Sequence, residues 1–577
     1  MKKIILILIF SLISSCSKKT QSNKNKGVLK VALRYNTTSF DPANAYDVIS
    51  SSILYQSYEQ LYEYHYLKRP YSLKPLLAES LPLIDESGTK YTIKIKKGIR
   101  YHKDQSLKEG RTLKAQDFID QIKRLAFKPT KSNGWWLFDG KIKGLNKFRE
   151  KAGHDFNKFF KLNIEGLKAP NDNTLIINLV EPYPQMIYAL SMSFTSPIPK
   201  ESIIFYKNDL SKQIIGTGPF KLKTHIPPET MTLQKFDSYN LSIYPNQGDR
   251  KSHSKGLLKD AGEKLPFINK IKYLLLKNPD KRWRFFMDKK ISFLNLSEVH
   301  FKKALNEIGD LKEDLKKMDI ELQISPTLTF WWLSFNMSDP ILGKNKSLRM
   351  AIASAIDREK FVDLSSNKTG QKANSIYPPG IPGYDPSKAL SIVFDLTKAK
   401  MFLKKAGYPN GNGLPKIQYD TRGDQELSLK QAKYIKSQLK KIGIEIKIVI
   451  NSFPKFLKKE REGSLKFWLG GWSMDYPDSE NILQLLFSKN HPPGPNSTFY
   501  SNKRFDQAFA KLKVAHSYKE KRKLMKRMEE TVLEDLPWFM LYYHRNYTLV
   551  HKHIKNYRYS DIIPNIFKYI RIENSNR

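Results

Sequence analysis

Hydrophobic and polar positions along this chain follow two periods. Alternation is clean at Tyr91 to Ile95, within the run TIKIK, and at Thr174 to Val180, so both stretches predict strands with one buried face. Val28 to Leu33 and Ile444 to Ile450 also read as strands, and Gly216-Thr217-Gly218-Pro219 is a turn feeding a strand from Phe220 to Lys223. Helical spacing marks Ala115 to Phe127, opened by Thr112 and closed before Pro129. It recurs at Leu348 to Leu364, Thr397 to Ala406, Leu429 to Ile442 and Glu520 to Leu533. Gly407 and Pro409 terminate the third of these helices. Gln247 to Lys264 is polar and spotted with glycine, and reads as an exposed loop. The last strand, Trp538 to Tyr543, is aromatic and follows Pro537. Helices and strands are interspersed throughout, which predicts an α/β fold with mixed sheets, and there is no internal repeat.

One segment carries more chemistry than the rest. An apolar run, Phe467-Trp468-Leu469, opens into Gly470, Gly471 and Trp472, then Asp475 beside Tyr476, as GGWSMDYPD. The run reads as a buried strand, and glycines there let another backbone approach closely. A carboxylate set against aromatic walls is costly to bury alone, and a cation such as a ligand ammonium supplies the missing charge. The alternative is a loop in which Asp475 caps a helix beginning near Ser479.

The ends and composition narrow the function. Lys2 and Lys3 precede an apolar run, Ile4 to Phe10, then small residues and Cys16, the pattern of a secretory signal too short to span a bilayer. Ile13-Ser14-Ser15-Cys16 resembles the lipobox of bacterial lipoproteins, in which the cysteine is lipidated. Cys16 is the single cysteine, so disulfides are excluded, and Ser17 to Lys26 reads as a flexible tether. Hydrophobic content of 40% with 12% aromatics is globular, and 577 residues predict two or three domains. The net charge of +43 would ordinarily point to nucleic acid. The lysines are dispersed along the chain and not gathered among aromatics, so a solvated basic surface is expected and no nucleic-acid partner.

Read as a series, several segments resemble the large solute-binding proteins of peptide-type ABC importers, the oligopeptide/dipeptide-binding family. They are SFDPANAYD (Ser39 to Asp47), LYQSYEQLYEY, LKPLLAESL, YTIKIKKGIRYH, KAQDFIDQIKRL, GTGPFKL, LRMAIASAIDREK, FDLTKAKMFLKKAGYPNGNG, QLKKIGIEIKI, GGWSMDYPD and VLEDLPWFMLYY. They occur in the family's order from about residue 28 to 560. The resemblance implies an α/β, two-lobed periplasmic-binding-protein fold with mixed sheets and an additional subdomain on lobe one. After a signal peptide (1–15) and a lipidated tether (16–27), lobe one would comprise 28–60, 166–270 and 496–577. The accessory subdomain would be 61–165 and lobe two 271–495. The implied function is capture of a peptide between closing lobes and delivery to ABC importer permease subunits. The protein would be a monomer, lipid-anchored on the periplasmic face of a bacterial membrane or at the cell surface, with no cofactor.

The family's site residues carry over by position. Asp475 would meet the ligand α-ammonium with Trp472 beside it, and backbone at Tyr46, Asp47, Gly470 and Gly471 would pair with the ligand as an added strand. Trp135 and Trp136 fall where the family places an aromatic leaning into the cleft, with packing inside the subdomain as the alternative. The chain departs from the family before the GW pair. Where several members carry a basic residue facing the ligand carboxylate, Phe467, Trp468 and Leu469 are apolar, which leaves Arg461 or a lysine as candidates. Asp357, Arg358 and His102 read as structural. No HExxH, GxSxG or GxxxxGK motif occurs, which argues against an enzyme. Rival readings are a nickel or haem binder on the same fold, which requires histidines converging in the cleft, and a transport-inactive receptor or adhesin. Of the eleven histidines only His551 and His553 are closely spaced.

Overall fold

Two long strands, Ile320–Phe335 and Trp538–His551, run antiparallel through the middle of the protein and organise everything around them. The computed structural model describes residues 27–573 apart from 227–228, 367–368, 388–391, 493 and 516. The signal segment, Cys16 and all but the last residue of the tether lie outside the described residues.

The seven-stranded sheet built on the two long strands runs in the order Phe293–Asn295, Trp538–His551, Ile320–Phe335, Phe467–Ser473, Ile417–Asp420, Ile446–Val449, with Gln371–Lys372 added beside Trp538–His551. Ile417–Asp420 pairs in parallel with both neighbours. A parallel pair needs a crossover, and the helix Glu426–Lys440 supplies it between Ile417–Asp420 and Ile446–Val449. A four-stranded sheet in the order Val28–Leu33, Lys270–Leu275, Thr230–Lys235, Phe220–Ile226 forms the base of the first lobe. Another joins Leu83–Ile84, Lys90–Lys94, Thr174–Asn178 and Leu167–Asn171. This is the two-lobed mixed α/β architecture that the resemblance implies.

Side-chain alternation along Ile320–Phe335 divides two cores. Leu328, Phe330 and Trp332 face the large core shared with the first lobe, while Leu333 and Phe335 face the second, around Leu348, Ile352, Tyr419 and Phe467. The strand is therefore a wall with a hydrophobic mass on each side.

The hydrogen bonding redraws some elements expected from sequence and runs across three of the expected domain breaks. Trp538–His551 pairs with Ile320–Phe335 in the sheet that also holds Phe467–Ser473, whereas the resemblance places 496–577 in lobe one. The break at 271 cuts through Lys270–Leu275, whose ladder with Val28–Leu33 belongs to the first lobe. The break at 165 separates Lys90–Lys94 from its partner Thr174–Asn178. The single helix expected over Leu348 to Leu364 is two, Lys346–Ala355 and Arg358–Ser366, because the Asp357 carboxylate accepts from the amides of Glu359 and Lys360 and starts a new helix. The expected loop at Gln247 to Lys264 contains the short helix Arg250–Ser254, capped by Asp249.

Candidate functional site

Phe467–Ser473 ends the buried part of its sheet at the two glycines. In the register with Ile320–Phe335, Gly470 faces Trp332 and Gly471 faces Trp331. A Cβ on Gly470 would lie 2.5 Å from the Trp332 ring, and one on Gly471 would lie 2.4 Å from the Trp331 ring. The room that glycine leaves is thus filled by two indoles, one on each face, and not by a second backbone as the sequence suggests. A backbone can still approach from the side. The parallel partner Ile417–Asp420 reaches only to Trp468, so beyond that residue one edge of the strand carries no further strand of the described residues.

The loop after the strand is tied by Asn481. Its Oδ1 accepts from Trp472 Nε1 at 2.9 Å and from the Asp475 amide at 3.2 Å, and its Nδ2 donates to Asp475 Oδ2 at 3.2 Å. The other Asp475 oxygen accepts from Tyr46 Oη, across from the first lobe, at 3.1 Å. Burial holds the Asp475 carboxyl above its ordinary value of 3.8, while Asn481 and Tyr46 pull it down. All the hydrogen bonds to its side chain come from neutral groups. The capping role belongs instead to Asp478, whose Oδ1 accepts from the Glu480 amide at 2.8 Å.

Carboxylates and tyrosines crowd the same junction. Tyr188 from the first lobe stacks on Tyr476 with centroids 5.2 Å apart and donates to Asp478 Oδ2 at 3.2 Å. Tyr476 Oη donates to Glu480 Oε2 at 2.6 Å. Burial above all, with Asp478 adding its charge, pushes Glu480 up to about 7.

The structure thus brings Tyr46, Gly470, Gly471, Trp472 and Asp475 to one place. Asp47 has a different occupation. Its carboxylate caps Val48–Ser57, accepting from the amides of Ile49 (3.1 Å) and Ser50 (2.9 Å) and from Thr38 Oγ1 (2.6 Å), and its carbonyl accepts from Ser51. Trp135 packs against the core with the Arg149 guanidinium over its ring at 4.8 Å, which is the subdomain-packing alternative. Trp136 beside it is 41% exposed.

Sequence reasoning missed Arg422. It follows Ile417–Asp420, in the turn where that strand leaves the site strand, and its guanidinium lies over Trp331 (5.6 Å), Phe453 (5.5 Å) and Phe456 (5.3 Å). Burial lowers its proton affinity, Glu460 raises it, and no carboxylate of the described residues forms an ion pair with it. Since Trp331 packs on Gly471, Arg422 sits beside the free edge. Asp475 lies further along the same strand and loop. Arg461, the candidate from sequence, is exposed at the last turn of Phe453–Arg461. Nothing local marks Arg422, because only the pairing of two distant strands brings it here.

Other residues are structural. His102 Nε2 bonds the Gly218 carbonyl at 2.8 Å, and burial lowers its pKa to about 4. Arg358 donates to the carbonyls of Ala373 and Met540. His551 Nε2 pairs with the Phe286 carbonyl at 3.0 Å, and among the described residues no three groups gather to hold a metal ion.

A two-lobed binding protein with a polar junction between its lobes is the class that this fold and site define. The sequence pattern of the bacterial extracellular solute-binding proteins, family 5 (middle region), matches residues 72–494, and the chain belongs to that family. The glutathione-binding protein GsiB of Escherichia coli K12 is 25% identical over 536 residues, covering 91% of this chain and 90% of its own. Two solved structures are similar over 95% of the chain. One is the periplasmic binding protein DppA of Helicobacter pylori in complex with the peptide STSA, with TM-score 0.68, 25% identity and 98% of that chain covered. The other is HbpA2 of Haemophilus parasuis, with TM-score 0.75, 21% identity and all of that chain covered. No helix of the described residues is long and apolar enough to cross a membrane.

Proposed function

We propose that this protein captures short peptides and hands them to the permease of an ABC importer. The observation that supports this most is a pair of opposite charges near the open edge of Phe467–Ser473, Asp475 in the loop after that strand and Arg422 just past its parallel neighbour. Among the described residues neither Asp475 nor Arg422 forms a direct ion pair, although Glu460 acts on Arg422 from further off, and a peptide with free termini brings a partner for each. Its ammonium meets Asp475 beside Trp472 and Tyr46, its carboxylate meets Arg422, and its backbone lies along the free edge at Gly470 to Trp472 as an added strand would. Main-chain pairing leaves side-chain choice broad. Relatives named for glutathione binding, or solved with a bound peptide, favour the same ligand class.

In this reading the protein is no enzyme, and Cys16 carries the lipid that holds it at the membrane, facing outward. Cys16→Ser should release it from the membrane fraction, because the acyl chains supply the apolar anchor. Retention of the variant through high-salt washing would show that anchoring has another source. The ligand class is tested by native mass spectrometry of the protein as purified. Bound masses that dissociate as peptides with free termini support it. A metal or a non-peptide mass in their place rejects it.

A further inference from the structure

A cavity of about 690 Å³ lies away from this junction, and none of Tyr46, Arg422, Trp472 and Asp475 lines it. Its walls come from the segment around Arg250–Ser254, from the first half of Ile320–Phe335, and from the stretch following Trp538–His551. Along Glu321 to Pro326 the long strand pairs with Trp538–His551 on one edge only, since Phe467–Ser473 joins it no earlier than Thr329.

The charges on these walls do not balance. Arg558 is held by Asp249 at 2.6 Å and Arg571 by Asp260 at 2.9 Å, which fixes both as rigid parts of the wall. Lys555 and Lys552 are paired with Glu573 and Asp319. Arg69, Lys251, Lys255 and Lys259 make no ion pair among the described residues, and Glu321, an exposed carboxylate, is the one acid on the walls without a cation. Arg69 donates to the carbonyls of Tyr66 and Lys68 and lies over the Tyr71 ring at 4.2 Å, with Asp249 and Asp561 acting on its charge only from beyond ion-pair distance. Burial, with Lys255 and Arg558 adding to it, holds the Lys251 ammonium below its ordinary proton affinity. Four unpaired cations in one concavity repel one another, and the low-dielectric walls focus their field on the cavity. The volume is that of a small-molecule site.

We propose that this cavity binds a phosphate-bearing anion at a site separate from the peptide cleft. The planar Arg69 fork and three exposed ammonium groups suit a compact, multiply charged tetrahedral oxyanion better than a single carboxylate. The half-buried rings of Tyr71 and Tyr559 on the walls offer surface to the organic part of such a ligand. The phosphate could belong to a soluble metabolite or to a phospholipid headgroup, and the chemistry is shared.

The test is titration of the full chain with inorganic pyrophosphate by calorimetry at fixed ionic strength. In parallel, capture is measured on phosphatidylglycerol vesicles relative to phosphatidylcholine vesicles. Lys251→Gln, Lys255→Gln and Lys259→Gln together form the site variant. Lys400→Gln, Lys404→Gln and Lys405→Gln on the exposed face of Leu396–Lys405 form a control of equal charge change. Saturable pyrophosphate binding, weakened about tenfold or more in the site variant and unchanged in the control, supports the proposal with a soluble ligand. Excess capture on phosphatidylglycerol that follows the same variant pattern assigns the phosphate to a lipid headgroup. No saturable binding of either probe, or equal losses in the two variants, overturns it and leaves only diffuse basic charge.

Discussion

Replacing Asp475 with alanine tests the peptide reading at its most specific contact. Breaking a buried charge pair by removing one partner costs roughly 3–5 kcal/mol, because the other charge stays desolvated. Asp475 is half-buried, and Tyr46 Oη and Asn481 Nδ2 still face the position after truncation, so the lower part of that range applies. At about 1.4 kcal/mol per decade, peptide affinity should fall by roughly two to three orders of magnitude. Asp475→Asn, which keeps an oxygen for Tyr46, should lose nearly as much if charge is the cause. N-acetylated peptides should bind the natural protein poorly and lose little more in either variant. The ligand-free protein should respond in the opposite sense. The folded-state pKa of Asp475 is raised above 3.8, so the folded state binds more protons than the unfolded one just above that value, and stability falls as pH rises through the window. Removing the carboxyl therefore relieves a cost at neutral pH, and peptide affinity should weaken as acidification protonates it. Calorimetric titration with matched free and acetylated peptides measures all of this. Equal binding of the two peptide forms by the natural protein would refute the ammonium contact outright.

Arg422→Gln should weaken binding of peptides with a free carboxylate by about 100-fold, at roughly 3 kcal/mol for an orphaned buried charge, and leave C-terminally amidated peptides untouched. Equal losses for both would remove Arg422 from the site. Gly471→Ala places a Cβ 2.4 Å from the Trp331 ring and should destabilise the fold by about 1–3 kcal/mol, read as a lower urea midpoint. An unchanged midpoint would mean that the indole moves freely. Glu480→Gln should match the natural protein in stability below pH 4.5 and exceed it increasingly up to pH 7. Burial raises that carboxyl from 4.5 to about 7, which makes its ionised form a liability of up to about 3 kcal/mol above pH 7. A variant that is no more stable at pH 8 contradicts the assigned cause.

Most of the frame could be read from periodicity. Val28–Leu33, Lys90–Lys94, Ala115–Ala126, Thr174–Asn178 and Leu396–Lys405 fall where alternation or helical spacing puts them, because each has one buried face. The split at Asp357 was legible too, since an aspartate two residues before a helical amide is a capping signal, but the apolar spacing on either side hid it. What escaped was long-range. The Trp538–His551 strand extends eight residues past the expected end at Tyr543, because the polar His544-Arg545-Asn546 separates it from the strand-forming Tyr547-Thr548-Leu549-Val550 and pairing with Ile320–Phe335 carries the strand across that gap. Within the site, Gly470, Gly471, Trp472 and Asp475 form one local motif and were visible as such. Arg422 is contributed by a turn 53 residues before Asp475, and the indoles behind the glycines by a strand further off still.

The two central strands also have a mechanical meaning. They are 16 and 14 residues long, and each serves both lobes, so the halves of the protein are joined by a continuous hydrogen-bonded ribbon as well as by loops. The ribbon's register slips in two places, between Pro326 and Phe330 and again between Trp331 and Trp332. Ladder bonds are locally disrupted at such slips, and twist concentrates there. In the proposed closure, rotation of one lobe against the other would be a torsion of this strip, stiff along its length and soft over a few residues. The soft stretch ends at Trp331 and Trp332, the two indoles seated on the glycines of the site. In the proposed closure, the angle between the lobes and the shape of the proposed peptide site would be set by the same short piece of backbone.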